Sequence, residues 1–525
     1  MVYFSDGCLY YCQRNIHAIV IGYVTKVIDR LGSVEEIYAH KITETEPFTK
    51  KTLMKVEQIY TGCLAQGAYY IESNGEAVVI DPLREVEPYI QKADRNNAKI
   101  KYVFETHFHA DFVSGHLDLA KKTGAPIVYG PNAAPAFEAH IAKDGEEFKV
   151  GNVTLKALHT PGHTMESTCY LLMDENGKET GLFSGDTLFI GDVGRPDLAQ
   201  KVVADLTQEK LAGYLFDSLR NKIMPLSNDI IVYPAHGAGS ACGKNMSKET
   251  TDTLGHQKET NYALRPDMNK EEFIKEVTTG LVAPPAYFPL NVMLNIKGYE
   301  SIDKVMERGQ HALSPDAFEA AANETSALIL DTRDPQTFTK GFVPNSINIG
   351  IDGSFAPWVG AMIPDIKQEI LLVTDEGREE EVITRLARVG YDYTIGFLQG
   401  GIEAWQKAGK EVDEIKSITA AELAGIAKKE KVNVLDVRKN SEFLSEHIVD
   451  AENTPLDFIN DSMLQLDKNK TYYIHCASGY RSMIFNSILR ARGYEHLIDV
   501  NGGFNAMKES GQFKVSDYAC PSTLL

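Results

Sequence analysis

The sequence predicts a multidomain α/β protein: an αββα sandwich first, then two smaller α/β units, each built on a small parallel sheet. Three observations predict it. At 525 residues the chain is too long for one hydrophobic core. From residue 54 to about 240, short β-rich runs alternate with Gly/Pro punctuation, and several end just before a polar cluster. Beyond residue 300 the chain repeats itself.

Composition narrows the function classes. Apolar residues make up 43% and charged residues 24%, as in a soluble globular protein. A net charge of −20 argues against nucleic acid as a partner, because phosphate backbones are gripped by clustered Lys and Arg. No apolar run approaches a membrane span, so no membrane partner is expected. The stretch Ile16–Val24 is short, broken by His17, and lacks a basic leader and a small-residue cleavage site, so no signal peptide is expected. The seven cysteines (Cys8, Cys12, Cys63, Cys169, Cys242, Cys476 and Cys520) are scattered without framework spacing. That suits a reducing compartment, and a cytoplasmic location is expected.

Residues 1–53 fit poorly with the strand pattern that begins at residue 54 and stand as an N-terminal extension without an assigned role. The first domain spans 54–240. Lys55–Tyr60 and Ala68–Glu72 read as strands, and a turn at Asn74-Gly75 leads into Ala77–Ile80. Lys101–Glu105 precedes His107, Val153–Leu158 precedes His159, Thr180–Phe183 precedes Asp186, and Ile230–Tyr233 precedes His236. Side chains on loops leaving one sheet edge can converge, which places a site on one rim of a sandwich. Helical patterns sit at Gly115–Thr123 and Leu206–Asn221. A connecting segment, 241–300, holds the proline-stiffened stretch 283–289.

Residues 301–413 and 414–525 form the repeat. Leu330-Asp331-Thr332-Arg333 recurs as Leu435-Asp436-Val437-Arg438, and Asn348 recurs as Asn453, at one offset of 105. Gly400-Gly401 recurs as Gly502-Gly503. Between these landmarks a strand, a loop and an amphipathic helix alternate: Leu371–Thr374, Asp375–Glu380 and Glu381–Val389 match Tyr472–His475, Cys476–Arg481 and Ser482–Arg492.

Two constellations carry chemistry. The first is Thr106-His107-Phe108-His109-Ala110-Asp111, followed by His159-Thr160-Pro161-Gly162-His163, then Asp186, then His236. Clustered imidazoles and carboxylates, each after a strand, point to a metal site. These motifs resemble the metallo-β-lactamase superfamily over residues 54 to about 240. Two-metal hydrolases of that superfamily carry His directly after the Asp of the first motif; here that position is Phe112, which has no lone pair to offer a second metal. His107, His163 and Asp186 remain, two imidazoles and a carboxylate with open positions, as in non-haem Fe(II) oxygenases. The chain resembles the persulfide dioxygenase branch, which implies one Fe(2+) per chain. By that resemblance His109, Asp111 and His236 orient ligands or move protons beside the metal. It also implies that a low-molecular-weight thiol persulfide and O2 give a thiol and sulfite. A zinc-dependent thioester hydrolase of the glyoxalase II type is the alternative.

Arg195, in Gly191–Asp197, resembles the family's Gly-Arg-[Pro/Thr]-Asp segment; its guanidinium is expected either to meet the anion of a thiol cofactor or to form a structural salt bridge. After His236 the chain reads Gly237-Ala238 where animal-type members read Asp-Tyr, which leaves the thiol's identity open. Cys242 stands close to Lys244, and a lowered pKa there would let it carry sulfur; the alternative is a buried inert thiol.

The second constellation is His475-Cys476-Ala477-Ser478-Gly479-Tyr480-Arg481 between a strand and a helix. Backbone N–H groups and the helix dipole favour a thiolate at Cys476, and Arg481 adds positive charge at the loop's end. The loop resembles the single-domain rhodanese type of sulfurtransferase, which implies sulfane-sulfur transfer on Cys476 with sulfite or thiosulfate. The first repeat has Asp375-Glu376-Gly377-Arg378-Glu379-Glu380 instead, so it is expected to be inactive, a spacer or docking surface. A homodimer is the working expectation for assembly.

Overall fold

The computed structural model describes residues 54–198, 206–244, 246–281 and 283–520. The N-terminal extension lies outside these residues. Strands β1 (Lys55–Thr61), β2 (Gln66–Ser73), β3 (Glu76–Ile80), β4 (Lys99–Phe104), β5 (Ile127–Tyr129) and β6 (His140–Ile141) follow one another across a first sheet. The β2–β3 hairpin turns where expected, with Asn74 and Gly75 both at positive φ (48° and 78°), as a tight two-residue turn requires. Strands β7 (Glu147–Val150), β8 (Val153–His159), β9 (Thr168–Met173), β10 (Glu179–Gly185), β11 (Ile231–Pro234) and β12 (Asp252–Thr253) form the second sheet.

Strand periodicity builds the layers. Tyr69, Ile71, Val78, Ile80 and Phe104 point inward and pack on Leu155, Tyr170, Leu172 and Phe183 of the facing sheet. The alternate residues Ala68, Tyr70, Ala77 and Val79 point outward and are buried under Tyr89, Ala93 and Leu119 of the helices Glu87–Arg95 and His116–Thr123. Leu171, Leu182 and Val232 do the same beneath the helix Gln208–Ser218. Strands buried on both faces read as continuous apolar runs, which is why alternation is muted in the sequence. The sandwich does not stop near residue 240: β12 extends its second sheet, and Leu254, Phe273 and Val277 from the segment expected to be a connection complete its outer layer. Short polar helices hid this, because each offers only one to three apolar residues.

The repeats have five parallel strands each. The third sheet runs β13 (Ala312–Leu313), β17 (Thr394–Leu398), β16 (Ile370–Val373), β14 (Leu328–Asp331), β15 (Ile347–Asn348). The fourth runs β18 (Lys416–Ile418), β22 (Leu497–Val500), β21 (Tyr472–His475), β19 (Asn433–Asp436), β20 (Glu452–Asn453), the same order. Leu330 lies opposite Leu372 and Leu435 opposite Ile474. One apolar core continues from Phe112 and Cys242 through both repeats to Cys476. At the seam between the sandwich and the first repeat, the buried Arg84 meets Asp392 at 3.0 Å, donates to Glu300 O, and lies over the Tyr299 ring. Among the described residues no helix is long and apolar enough to cross a membrane.

Candidate metal centre and sulfur-carrying loop

Four strand ends bring the first site together. His107 follows β4, His163 follows β8, Asp186 follows β10 and His236 follows β11. One ligating atom from each of His107, His163 and Asp186 falls within 4.8 Å of the others, and all three residues are buried. The tautomers are fixed from behind. His163 donates from Nδ1 to Arg195 O (2.8 Å). Thr106 Oγ1 gives its proton to Asp81 (2.8 Å), so it accepts from His107 Nδ1 at 3.0 Å. Both Nε2 atoms therefore present lone pairs toward Asp186 Oδ2, at 3.8 and 3.4 Å, and that oxygen is buried without a hydrogen-bond partner. An orphaned carboxylate oxygen facing two imidazole lone pairs fits a divalent cation, and this donor set suits iron or zinc. Burial raises the Asp186 carboxyl, but His236 and His107 outweigh it and hold it well below the usual range.

His236 bridges two carboxylates, with Nδ1 on Asp186 Oδ1 (2.8 Å) and Nε2 on Asp111 Oδ2 (2.9 Å). Carboxylates only accept, so both ring nitrogens carry protons, and the charges of Asp111 and Asp186 overcome burial to raise its pKa. His109 turns away from the metal position. Its Nε2 lies 3.1 Å from Asp81 and 3.5 Å from Glu105, and Phe112 covers its ring at 4.3 Å. Burial lowers His109, but Asp81 outweighs it and raises the imidazole to about 10, while burial lifts Glu105 to about 7. His109 is linked to His107 by hydrogen bonds through Asp81 and Thr106, and its ring also lies 4.2 Å from the His107 ring. His159 does not join the site; it is half-buried and bonded to Met165 O.

Two alternatives that the sequence leaves open can be set against the structure. Lys244, expected beside Cys242, sends its ammonium to Glu276 O instead. Burial, then the charges of Asp111 and Asp186, push the Cys242 thiol well above its ordinary value. A lysine-activated thiolate is therefore absent here. Cys242 instead forms a second group of potential ligands with Asp111 and His236. Arg195 forks onto Asp197 (2.6 and 2.7 Å) and reaches Ala241 O, which is the structural salt bridge rather than an open anion site. It still borders a cleft of about 780 Å³ with Lys244, Arg265 and Lys275.

The metal loop is held by residues that the sequence motifs do not include. Asn295 donates to His109 O and Phe112 O (2.8 Å each) and accepts from Ser114 N, and Val113 N donates to Arg388 O of the first repeat. Asp81 lies outside the motifs too, although it follows β3 as the other site residues follow their strands; the same rule would have found it.

Cys476 follows β21 and is buried, with the Gly479 N–H donating to Sγ at 3.1 Å. Ser478 is exposed at the mouth. Arg481 is not an open cation: it forks onto Glu442 at 2.6 and 2.9 Å. In the first repeat Arg378 forks onto Asp352 and also meets Glu381. The strand register shifts the expected loop alignment by one residue: Val373 pairs with Asp331 as His475 pairs with Asp436, so Thr374, and not Asp375, stands where the cysteine would be.

Residues 61–236 match the metallo-beta-lactamase superfamily, and residues 314–408 and 419–510 each match the rhodanese-like domain. A probable hydroxyacylglutathione hydrolase of Schizosaccharomyces pombe is 30% identical over 189 residues, 35% of this chain and 68% of that one. A hydroxyacylglutathione hydrolase of a Polaromonas species is 32% identical, over 35% of this chain and 66% of that one. A metallo-beta-lactamase of Staphylococcus aureus, solved by crystallography, is 33% identical with a TM-score of 0.58, and the match covers 66% of this chain and 99% of that one. With its ligands on the strand ends of an αββα sandwich, the chain belongs to the metallo-β-lactamase superfamily and carries two rhodanese-like domains behind it.

Proposed function

We propose that the chain oxidises a low-molecular-weight persulfide with O2 at one ferrous iron, and moves sulfane sulfur on Cys476. The balance is R–S–SH + O2 + H2O giving R–SH, sulfite and two protons, four electrons passing from the outer sulfur to O2. The observation that carries the reading is Phe112: buried against His109, it stands where a two-metal hydrolase needs an imidazole, and it leaves His107, His163 and Asp186 as the ready ligand set. Bound iron would supply a redox centre at which a persulfide sulfur and O2 meet. The chain's own residues hold His107 and His163 in one tautomer and keep His236 a proton-bearing neighbour of Asp186. At Cys476 a persulfide sulfur would pass to sulfite, the S–S bond breaking to leave the thiolate and give thiosulfate.

A second reading has its own support. Asp111, His236 and Cys242 offer a further ligand group once His236 gives up a proton, and two relatives are named hydroxyacylglutathione hydrolases. That reading is a two-zinc thioester hydrolase. Anaerobic purification, elemental analysis and oxygen uptake with a small persulfide separate them. The proposal expects about one iron per chain, with iron and uptake both lost in His163→Ala. Two zinc ions, thioester turnover and no oxygen uptake would replace it with the hydrolase.

A further inference from the structure

Tyr480 belongs to the Cys476 loop by sequence and to the other rhodanese-like domain by contact. It starts the helix Tyr480–Ala491, directly after the glycine whose N–H meets Cys476 Sγ. Its side chain leaves that loop, and the hydroxyl donates to Gly350 O at 2.7 Å. Its ring lies against Gly353, where an added methyl group would overlap three ring carbons, and a methyl on Gly350 would stand 3.3 Å from the same ring. Gly353 is outside the left-handed region, so it is glycine for the space it leaves, not for its backbone.

Two further contacts tie the same helix to the first rhodanese-like domain. Ser482 donates to Asp499 (3.2 Å), whose other oxygen accepts from Gln336 Nε2 (2.9 Å). Asn348 N donates to Ser487 Oγ (2.9 Å). The segment 348–353 is held in turn by the cysteine-less loop and its helix: Arg378 forks onto Asp352 (2.7 and 2.8 Å), and Arg385 donates to Ile351 O.

We propose that the first rhodanese-like domain is a platform for the second one's active loop: Arg378 fixes segment 348–353, that segment seats Tyr480, and Tyr480 sets the loop around Cys476. Tyr480 is a positioning residue, and its sulfur-transfer consequence rests on reading Cys476 as the sulfur carrier. The physical link is short. Tyr480 is bonded directly to Gly479, and the donor N–H sits on the other side of that glycine's Cα, so displacing the ring shifts the N–H that faces Sγ.

The test uses the full chain and two rates: alkylation of Cys476 by iodoacetamide, and sulfur transfer from thiosulfate to cyanide giving sulfite and thiocyanate. Gly353→Ala should slow both by about tenfold to a hundredfold, in kcat more than in KM, because a displacement near 1 Å has that effect on an aligned site. In a Tyr480→Ala background the same change should add almost nothing, since the methyl group then meets no ring. Tyr480→Phe, which loses only the bond to Gly350, should cost about threefold to tenfold. Should Gly353→Ala fail to fold, Arg378→Ala reads the platform from its other side and should slow both rates several-fold. Bound metal should be unchanged throughout. Wild-type rates in Gly353→Ala and Tyr480→Phe, or an equal loss from Gly353→Ala with and without the Tyr480 ring, would overturn the proposal. Alkylation judges the platform even if no sulfur moves, so failure of the sulfurtransferase reading is seen separately.

Discussion

The two rhodanese-like repeats keep the same buried charges and part at one loop. In the first, Asp331 ends β14 and holds Arg333 at 2.5 Å, and that arginine also donates to Gly341 O. In the second, Asp436 ends β19 and holds Arg438 at 2.6 Å, with Glu446 O as the further acceptor. Asn348 and Asn453 each donate to the carbonyls of the Asp and the Arg. The loops then differ, with Thr374 standing where the second repeat has Cys476, and Asp375 directly after it. The loop arginines are not equivalent: Arg378 directly follows Gly377, where the second repeat has Tyr480 after Gly479, and pairs with Asp352, whereas Arg481 lies one residue further on and pairs with Glu442. The difference teaches that the buried pair belongs to the fold and is needed whether or not the domain does chemistry. The cysteine is the difference that the proposed sulfur transfer needs, and in each loop an arginine pairs with a carboxylate on a neighbouring segment.

The sharpest way to break the comparison is Cys476→Ser. Thiosulfate-to-cyanide transfer should fall on the order of a thousandfold or more, as when a nucleophile is removed, while metal content stays the same. Next come Asp331→Ala and Asp436→Ala. Each strands a buried guanidinium, and each should cost about 3–5 kcal/mol in urea unfolding. A mild loss at Asp331 alone would mean that the first repeat is vestigial, not a structural equal.

A smaller effect tracks pH. Burial raises the Glu442 carboxyl, but Arg481 outweighs it and the net shift is downward. A lowered folded pKa contributes stability that is fully present above the unfolded value, about 4.3, and is lost as pH falls through the folded one. Acid should therefore loosen the second repeat by about half a kcal/mol after solvent screening, and Glu442→Gln should remove that slope from the urea midpoint. The smallest expected effect is none: Thr374→Cys in a Cys476→Ser background should stay at the background transfer rate, because Asp375 and Glu376 still follow it and Arg378 stays bound to Asp352 and Glu381. Clear transfer by that variant would show that the loop cysteine alone is sufficient.

Much of the fold was legible because it rests on local rules. The Asn74-Gly75 turn, the strands ending before His107, Asp186 and His236, and the repeat landmarks all lie where residue type and spacing put them. The boundary near 240 was not legible, since the helices Leu254–Thr260 and Lys270–Thr278 show few apolar residues until the second sheet is there to cover. At the site, the grouping of His107, His163 and Asp186 could be read from the residues. The behaviour of Cys242 could not, because proximity of Lys244 in sequence says nothing of where its ammonium points.

By itself the sequence determined the layer order, the repeat, the metal-binding residue types and the one cysteine set between a strand and a helix. These depend on periodicity and on what each side chain can chemically do. Only the tertiary structure decided that His109 faces Asp81 and Glu105, that Arg195 closes on Asp197, and that Tyr480 lies on Gly353. The physical reason is that a loop side chain takes its direction from the partner that satisfies its charge or fills its space, and those partners arrive from segments far away in the chain.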